Sequence, residues 1–486
     1  MAKRVAVIDI GSNSVRMVVY ERTSRFAFHL LHEAKSKVRI SENAYEHEGN
    51  LQEIPMQRTF EALKDFLSIC ESFTVKKVFC VATSALRDAP NKKDFLQRVK
   101  SELKLDIKII DGQKEAHYGA IACANLLPEQ ENALSIDIGG GSTEFSIINQ
   151  KNVSNTISLE LGTVRLKELF FDKNSIDKAI AYIDKKLEAI DGLEASTIIG
   201  IGGTFRAISS AIMKEENYPL QKLHAYEYSA KKLEKFISDI LDADESGLKK
   251  LGIASNRFDV IKPGALILER VLKKIAPTRA LTSGVGVREG VYLCDLLRGS
   301  KGKLPSNYNT SVRYIIDSHI KDTHFSNQLN QLSKKLFDLT SQHFNIDLKY
   351  RYELAVASKL YPAGGNVHFY SKNKHSYYLI QTALEYGFTH EQIVLISTLA
   401  KYVKKKLPED SHIQKYASLL PQTNILNYLS YILSLSIALL SHRPKNIDFN
   451  LKFANGTLEI DSSSNFYLSR EAVNKLDCIE DFTVII

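Results

Sequence analysis

The chain has 486 residues, of which 44% are hydrophobic and 25% charged, values that exclude a disordered or fibrous protein. At about 150 residues per domain, this length predicts about three globular domains. The net charge of +8 favours an anionic ligand over a cationic one. It is too small to indicate a nucleic-acid-binding protein, and the chain has neither Trp nor a recognisable nucleic-acid module.

The cysteines and the apolar segments predict a cytoplasmic protein without membrane association. The cysteines are scattered and lack metal-ligand spacing, which is typical of free thiols in a reducing compartment. A predicted strand begins by Val5, so we expect no signal peptide. The most apolar run, 425–440, is short for a membrane span and carries Asn427 and three serines, which favours a buried helix. The five cysteines are Cys70, Cys80, Cys123, Cys294 and Cys478.

The chain begins with two or three predicted antiparallel strands over 4–33, interrupted by a polar turn. Residues 5–20 read VAVIDIGSNSVRMVVY, so that Asp9 precedes the turn formed by Gly11, Ser12 and Asn13. Glycine lets the backbone approach a ligand closely, and consecutive amide N–H groups in such a turn bind anions. A carboxylate at the end of the strand can hold a cation. Together these groups suit a metal-bound phosphate.

Two charged residues follow later strands of this first half. Arg87 begins a helix beyond the predicted strand 75–82, where a guanidinium could bind a phosphate or simply lie on the surface. Glu115 begins the predicted helix 114–127. With Gly112 as N-cap, Glu115 would occupy a capping position, so a structural role competes with a catalytic one. The other elements predicted here are the helices 55–73 and 94–103 and the strand 106–110.

The first polar turn recurs in residues 133–148, ALSIDIGGGSTEFSII. In the repeat, Asp137 replaces Asp9, Gly139 replaces Gly11, and Ser142 replaces Ser14. An internal repeat of this kind predicts two similar α/β halves whose turns face each other across a cleft.

Two further glycine turns follow in order. The strand 197–201 precedes Gly202, Gly203 and Thr204, which start a helix and so form a ready anion site. Residues 283–286 precede the last helix of this half, 289–297. The other strands predicted here are 155–161 and 279–281. One helix is predicted to begin at 162–165, and three more are predicted to span 176–190, 205–213 and 259–276.

A Gly/Lys-rich linker at 298–303 marks a change in the character of the sequence. Beyond it, 312–440 has a helical pattern, and strand alternation returns from Ile447. Asn455 and Gly456 predict a type I′ hairpin, and the chain ends on the strand 482–486. The predicted domains are therefore 1–127, 128–303 and 304–486.

The motif order DxGSNS, ATSALR, DGxxEA, DIGGGS, GIGGT and TSGVGVREG resembles that of the exopolyphosphatase and guanosine pentaphosphate phosphohydrolase family, Ppx/GppA. The resemblance covers nearly the whole chain. It implies an α/β fold of two RNase H-like domains of the actin-like, sugar-kinase and Hsp70 superfamily. It also implies Mg²⁺-assisted hydrolysis of the terminal phosphoryl group of inorganic polyphosphate, of pppGpp, or of both.

The resemblance assigns roles to residues of the matching motifs. Asp9 and Asp137 would serve the metal and the attacking water, with Glu144 assisting. Glu115 matches the family's catalytic glutamate and would act as general base, and Arg87 would clamp a phosphate. The phosphates would lie against the turn residues Gly11, Ser12, Asn13, Gly139, Gly140, Gly141, Ser142, Gly202, Gly203 and Thr204.

The third predicted domain departs from the family pattern. Long family members carry a helical domain similar to HD-type metal phosphohydrolases, but this chain has Ser358 and Lys359 where the His-Asp pair is expected. His368 and His375 lack a surrounding ligand set. We therefore expect a degenerate, metal-free domain that binds ligand or forms a homodimer. A track for a long polyanion could be formed by Lys372, Lys374, Lys401, Lys404, Lys405 and Lys406, unless these only line a solvated helix face.

Two other functions compete with hydrolysis of polyphosphate or pppGpp. One is an ATPase or small-molecule kinase of the same superfamily, although the sequence has no inserted lid subdomains of Hsp70 or actin type. The other is a sensor that binds (p)ppGpp or polyphosphate without cleaving it, which the presence of Glu115, Asp9 and Asp137 disfavours. The sequence ranks neither polyphosphate nor pppGpp first, because both present a terminal phosphoanhydride.

Overall fold

The computed structural model describes residues 3–403, 406–462 and 465–486. The chain divides into two compact units, of which the first ends at Tyr308 and the second begins at Asn309. None of the helices in these described ranges is long and apolar enough to cross a membrane.

The first sheet of unit one has five strands in the order β3-β2-β1-β4-β5. Strand β1 pairs antiparallel with β2 and parallel with β4, which is the arrangement of an RNase H-like sheet. The alternating apolar residues of its first two strands, among them Ile8, Ile10 and Met17, are fully buried against the helices that follow. The strands are β1 (Arg4–Ile10), β2 (Val15–Arg22), β3 (Phe28–Ser36), β4 (Lys77–Ala82) and β5 (Lys108–Ile109).

Four helices follow or separate these strands. The helix α1 buries Phe60, Leu63 and Phe66 at helical spacing in the same core as the first sheet. Their bounds are α1 (Glu53–Ser72), α2 (Ser84–Asp88), α3 (Lys92–Leu103) and α4 (Gly112–Leu126).

The second sheet repeats the first and is longer by one strand, with the order β10-β11-β9-β6-β7-β8. Strand β6 pairs antiparallel with β7 and parallel with β9, as β1 does with β2 and β4. The internal sequence repeat therefore corresponds to a structural repeat, and the prediction of two similar α/β halves is confirmed. The strands are β6 (Ala133–Ile138), β7 (Thr143–Asn149), β8 (Asn152–Leu159), β9 (Thr197–Ile201), β10 (Glu227–Ser229) and β11 (Arg279–Thr282).

The helices of this half include one that the sequence analysis did not predict. The helix α8 buries Leu233, Phe236, Ile237 and Ile240 on one face, and the side chain of Ser229 caps it. The helices are α5 (Thr163–Leu166), a π-helical turn (Lys167–Phe171), α6 (Ile176–Leu187), α7 (Gly202–Glu215), α8 (Ala230–Asp242), α9 (Glu245–Lys250), α10 (Phe258–Ile275) and α11 (Val287–Leu296), with short 3₁₀ turns at Glu188–Ile190, Ser255–Arg257 and Arg298–Ser300.

Two helices cross between the sheets. The helix α4 packs against β7 and β8 of the second sheet, where Ala120 and Cys123 join the core. The helix α11 packs against α4 and against β1 of the first sheet. At their crossing, a Cβ atom on Gly290 would lie 1.9 Å from the backbone oxygen of Tyr118. The two halves are thus tied together by exchanged helices, and the predicted boundary at 127/128 stays a prediction.

Unit two is mostly helical, as predicted, with a small sheet of order β12-β13-β14. Its most apolar helix, α18, contacts α13, α14, α16 and α19 and is buried within the unit. Asn455 and Gly456 both have positive φ, as the predicted type I′ hairpin requires. The elements are α12 (Thr310–His319), α13 (Thr323–Thr340), α14 (Tyr350–Leu360), a 3₁₀ turn (Tyr361–Asn366), α15 (Lys372–Ala383), α16 (His390–Lys401), α17 (Asp410–Lys415), α18 (Thr423–Leu439), β12 (Phe449–Ala454), β13 (Thr457–Ser462), α19 (Tyr467–Val473) and β14 (Thr483–Ile485).

The crossing of α4 and α11 yields a stability prediction. Gly290→Ala places a methyl group against the backbone of Tyr118, which cannot rotate away as a side chain can. We expect the free energy of unfolding to fall by about 1–3 kcal/mol or more, measured by urea denaturation. The matched control is Gly299→Ala, because a Cβ there meets nothing within 4 Å. Equal stability of the two variants would contradict the close contact.

Candidate functional site

A cleft of about 1210 Å³, counting its opening to solvent, lies in unit one. It is lined by residues at or just beyond the carboxyl ends of four strands: Asp9 for β1, Thr83 for β4, Asp137 for β6 and Ile201 for β9. In α/β sheets this edge is where ligands bind.

The two repeated turns meet in this cleft. Each is closed by the same hydrogen bond, in which the Gly11 N–H donates to the Ser14 oxygen at 3.2 Å and the Gly139 N–H donates to the Ser142 oxygen at 2.9 Å. A Cβ atom on Gly140 would lie 2.8 Å from Cβ of Ser12, so the turns approach each other closely. Glycine at this position is what permits the approach.

The third glycine turn is the first turn of α7 rather than a loop before it. Gly202 has a φ of +81°, and a Cβ atom there would lie 2.4 Å from Oδ1 of Asp137. A Cβ atom on Gly203 would meet the guanidinium of Arg257 at 2.7 Å. The glycines therefore let a carboxylate and a guanidinium approach the N-terminus of a helix, where the backbone N–H groups lie.

Asp9 and Asp137 are the two carboxylates between the turns. Burial raises the pKa of both. The charge of Glu289 raises the pKa of Asp9 further, and the charge of Asp9 raises the pKa of Asp137 further. The pKa of Asp137 rises to about 6, although the neighbouring Arg206 opposes the rise. The charges of Arg288 and Arg16 oppose the rise in the pKa of Asp9.

Glu115 and Glu144 form a second carboxylate pair in the cleft. Burial raises the pKa of Glu115 well above its ordinary value, and the charge of Glu144 adds to this. Burial and the charge of Asp137 raise the pKa of Glu144, whose Oε1 accepts a hydrogen bond from Ser158 at 2.8 Å. Arg87 opposes the rise at Glu115, because its Nη1 lies 3.0 Å from Oε2 of that residue.

The capping role considered for Glu115 is wrong. The N-cap of α4 is Asp111, whose Oδ1 accepts a hydrogen bond from the Lys114 N–H at 2.7 Å. An aspartate satisfies a free helix N–H group with its side chain, which glycine cannot do. Glu115 therefore lies one position beyond N3 and does not cap the helix. Its side chain lines the cleft and contacts Arg87.

The structure brings most of the predicted site residues together in the cleft, but not all of them. Arg87 does not line the cleft, but its guanidinium contacts the carboxylate of Glu115, which does. Gly141 lies against Tyr45, Ser84 and Ser12 rather than facing the cleft. The predicted residues that line it are Asp9, Gly11, Ser12, Asn13, Glu115, Asp137, Gly139, Gly140, Ser142, Glu144, Gly202, Gly203 and Thr204. Their individual roles stay predictions.

A group of basic residues, here called the cationic wall, also lines the cleft and was not predicted. Burial and the positive charges of Arg288 and Arg206 lower the pKa of Arg16, which is the signature of guanidinium groups crowded together. Burial and Arg16 lower the pKa of Lys35 to about 8. The wall consists of Arg16, Lys35, Lys37, Arg206, Arg257 and Arg288.

Two of these arginines are held by their neighbours. Arg206 donates to the backbone oxygens of Ser283 and Val285 at 2.7 and 3.1 Å. Arg288 forms an ion pair of 2.8 Å with Glu33. One signal in the sequence could have found Arg288, because it lies within the motif TSGVGVREG. Arg16 and Arg257 carried no such signal.

The acidic side chains of the cleft are the candidate ligands for a metal ion. Within residues 3–403, 406–462 and 465–486, no group of three or more His, Cys, Asp or Glu side chains is arranged to hold a metal. Asp9, Asp137 and Glu144 therefore do not form a three-residue site. Mg²⁺, however, is usually held by one or two carboxylates together with substrate phosphates and waters. Asp9 and Asp137 fit that pattern, because a cation between them would relieve the repulsion that raises the pKa of Asp137.

In unit two, the residues at the expected metal positions have other contacts. Ser358 is fully buried and donates to the backbone oxygen of Ala355, while Nδ1 of the exposed His368 lies 3.4 Å from the Tyr370 oxygen. Lys401 of the predicted polyanion track contacts Nδ1 of His412 at 3.1 Å. Lys404 and Lys405 lie outside the described residues, and the track stays a prediction.

Comparisons with known proteins agree with this geometry. Residues 18–299 match the model of the Ppx/GppA phosphatase family, and 309–475 match its domain III. The chain is 25% identical to a guanosine-5′-triphosphate,3′-diphosphate pyrophosphatase of Photobacterium profundum, over 83% of this chain and 80% of that protein. It is 30% identical to a bifunctional 3-dehydroquinate synthase/phosphatase of Fusobacterium nucleatum, over 55% of this chain. The match spans only 43% of that relative's length.

Two solved structures resemble part of the chain. A Ppx/GppA family member from Aquifex aeolicus is 28% identical, with a TM-score of 0.54, over 62% of this chain and 99% of that one. An exopolyphosphatase from Cytophaga hutchinsonii is 26% identical, with a TM-score of 0.57, over 62% of this chain and 100% of that one.

The buried charge of Asp137 yields a prediction on stability and pH. The pKa of Asp137 is about 6 in the folded state, whereas in the unfolded state it is near the ordinary value of 3.8. Between these two values the folded state therefore holds a proton that the unfolded state has lost. Stability therefore falls as pH rises through this window. Asp137→Asn removes the effect, so its melting temperature should exceed that of the wild type above pH 6, and not at pH 4, in buffer without divalent metal.

The control for this prediction is Asp65→Asn, because Asp65 is exposed on α1. Thermal melts of the three proteins from pH 4 to pH 8 test it. A gain for Asp137→Asn that is the same at both ends of the range would contradict the assignment to a buried charge.

Proposed function

The chain belongs to the Ppx/GppA phosphatase family, and we propose that it hydrolyses the terminal phosphoanhydride bond of inorganic polyphosphate, of pppGpp, or of both. One observation carries the proposal: the same cleft is lined by four carboxylates and by six basic residues. A substrate that carries several phosphoryl groups together with a bound cation fits a lining of both charges.

The basic part of the cleft supports the binding of the anionic remainder. Guanidinium groups pair with phosphate oxygens bidentately, and the pairing is strongest where water is excluded. The arginines of the cationic wall repel one another. Bound phosphates would remove that repulsion, which favours a polyanion over a monovalent ligand.

Glu115 is proposed as the general base that takes a proton from the attacking water. Its carboxylate lines the cleft, and its raised pKa makes it a better proton acceptor than an ordinary glutamate. Arg87, at 3.0 Å, holds the carboxylate in place and preserves a fraction in the ionised form. Arg87 therefore acts through Glu115, which differs from the phosphate clamp predicted for it.

The turns and the acidic pair complete the proposed mechanism. The N–H groups of the turns at residues 11–14 and 139–142 and of the first turn of α7 stabilise charge on the transferring phosphoryl group. Asp9 and Asp137 would hold Mg²⁺, which when bound neutralises charge on the phosphoryl oxygens. Ser142 and Thr204 supply hydroxyl donors beside these amides.

The cellular location, the partners and the oligomeric state form a further part of this proposal. We infer that the protein acts in the cytoplasm without nucleic acid or membrane partners and forms a homodimer through unit two. The support is the family membership, and for the membrane also the finding that no described helix is able to span one.

The test is release of inorganic phosphate, with Mg²⁺, from long-chain polyphosphate, pppGpp and ATP measured side by side. We expect release from at least one of the first two. Glu115→Gln should lower kcat by about 10²–10⁴-fold, the usual contribution of a general base, and leave substrate affinity intact. Glu131→Gln, on the exposed surface, is the matched control.

Three outcomes would contradict the proposal. Release from ATP alone would favour an ATPase or kinase, and binding of pppGpp or polyphosphate without release would favour a sensor. Full activity of Glu115→Gln would remove that residue from the role of general base.

The contact between Arg87 and Glu115 predicts the direction of a pH shift. The Arg87 charge lowers the pKa of Glu115, so Arg87→Met should raise it further. Because the base must be ionised, the acid limb of the kcat/KM profile should move to higher pH in Arg87→Met. It should move less in Arg87→Lys, which keeps the charge. Arg98→Met, near the surface, should leave the profile unchanged, and an unmoved profile in Arg87→Met would refute the coupling.

A further inference from the structure

A second cavity, here called the side pocket, adjoins the cleft on the far side of the first turn. Ser12, Asn13 and Val260 line both spaces. The side pocket measures about 560 Å³, counting its opening. A single ligand whose phosphates lie over the first turn can therefore reach into it. The rest of its lining consists of Arg39, Ser41, Glu42, Asn43, Glu46, Val164, Lys167, Glu168, Asp172 and Asp259.

The side pocket differs from the cleft in its charge. Its two basic residues already have acidic partners, because Arg39 lies 2.7 Å from Asp259 and Lys167 lies 2.6 Å from Asp172. The acidic residues of the pocket outnumber its two basic residues, so the pocket offers hydrogen-bond acceptors and negative charge. Phosphate would be repelled here, and a group that donates hydrogen bonds would be favoured.

Glu168 is the acceptor that the protein itself leaves unused. It is only 8% exposed, and its Oε1 accepts a hydrogen bond from the Asn43 N–H at 3.2 Å. Its Oε2 is buried and has no hydrogen-bond partner among the described residues. A buried carboxylate oxygen without a donor costs free energy, so such an atom is expected to meet a donor from a ligand or from water.

The local backbone supports a functional role for Glu168. It lies in the π-helical turn Lys167–Phe171, which follows directly on α5. A π-helical turn is rare, and such turns occur frequently at functional sites. This turn places Glu168 in the wall of the pocket, in contact with the loop that contains Asn43.

We propose, resting on the phosphohydrolase function above, that the side pocket binds the guanine base of a guanosine polyphosphate whose phosphates lie in the cleft, with Glu168 Oε2 accepting a hydrogen bond from the base. Guanine carries an N1–H and an N2 amino group side by side on one edge, so Oε2 can accept from either of two adjacent donors. Adenine offers only its N6 amino group on the same edge, beside an unprotonated N1 that a carboxylate repels, so we expect it to bind less well. Polyphosphate has no donors at neutral pH, so it gains nothing from this pocket.

The experiment uses the full chain and compares wild type with Glu168→Gln. In the variant the amide oxygen stays at the Asn43 N–H, and the NH₂ group takes the place of Oε2, so an acceptor becomes a donor. We expect the KM for pppGpp to rise about tenfold or more, the size of one hydrogen bond to a charged group. The KM for long-chain polyphosphate should be unchanged. Wild type should also prefer pppGpp to ATP.

Controls separate folding from recognition. Glu160→Gln, on an exposed residue, should change neither KM. Thermal melts should show that Glu168→Gln is folded. If it is not, Glu168→Asp takes its place, because it keeps the charge, shortens the carboxylate and should weaken pppGpp binding selectively.

The outcomes distinguish this inference from the proposed function. Phosphate release with equal effects of Glu168→Gln on pppGpp and polyphosphate, or with no effect on pppGpp, overturns the side pocket and leaves the phosphohydrolase. Release from neither substrate overturns the phosphohydrolase. In that case, calorimetric binding of pppGpp tests the proposed role of the side pocket separately. Weaker binding by Glu168→Gln than by wild type supports this role, and equal or absent binding overturns it.

Discussion

Burial of four carboxylates in one cleft is the constraint on which the first unit depends. Burial raises the pKa of Asp9, Asp137, Glu115 and Glu144, and the charge of a neighbouring carboxylate raises it further at each of them. Such an arrangement costs stability, and it persists only where the surrounding structure holds it in place. Here the holding elements are rigid: the acidic residues lie on β1, β6, β7 and the start of α4, each of which is fixed in the core.

The crossed helices α4 and α11 explain how charged residues from both halves come to line one cleft. The helix α4 carries Glu115 from the first half but packs on the second sheet, and α11 carries Arg288 from the second half but packs on β1. Each half therefore positions a charged residue for the other. The close approach at Gly290, where no side chain intervenes, makes the crossing compact.

The sequence predicted the parts of this site that local patterns encode. Asp9 and Asp137 stand out because a carboxylate ends an apolar strand before a glycine turn, and the repeat doubles the signal. Arg16 and Arg257 could not be found this way, because they come together only through the fold. The helix α8 was missed although its apolar residues recur at helical spacing. The N-cap of α4 was assigned to Gly112 instead of Asp111, an error of one residue that changed the role open to Glu115.

The charge pattern also bears on how a polyanion enters the cleft. In the proposed reaction its terminal phosphoryl group would approach Asp9, Asp137 and Glu115 when some of them are ionised, and like charges at short range repel strongly at low dielectric. Arg16, Arg206 and Arg288 of the cationic wall offset part of the charge on Asp9 and Asp137, but burial still leaves the pKa of both carboxyls raised. A divalent cation that enters with the terminal phosphate would cancel charge on both sides at once. Binding of substrate and of metal should therefore be coupled, since each removes the repulsion that opposes the other.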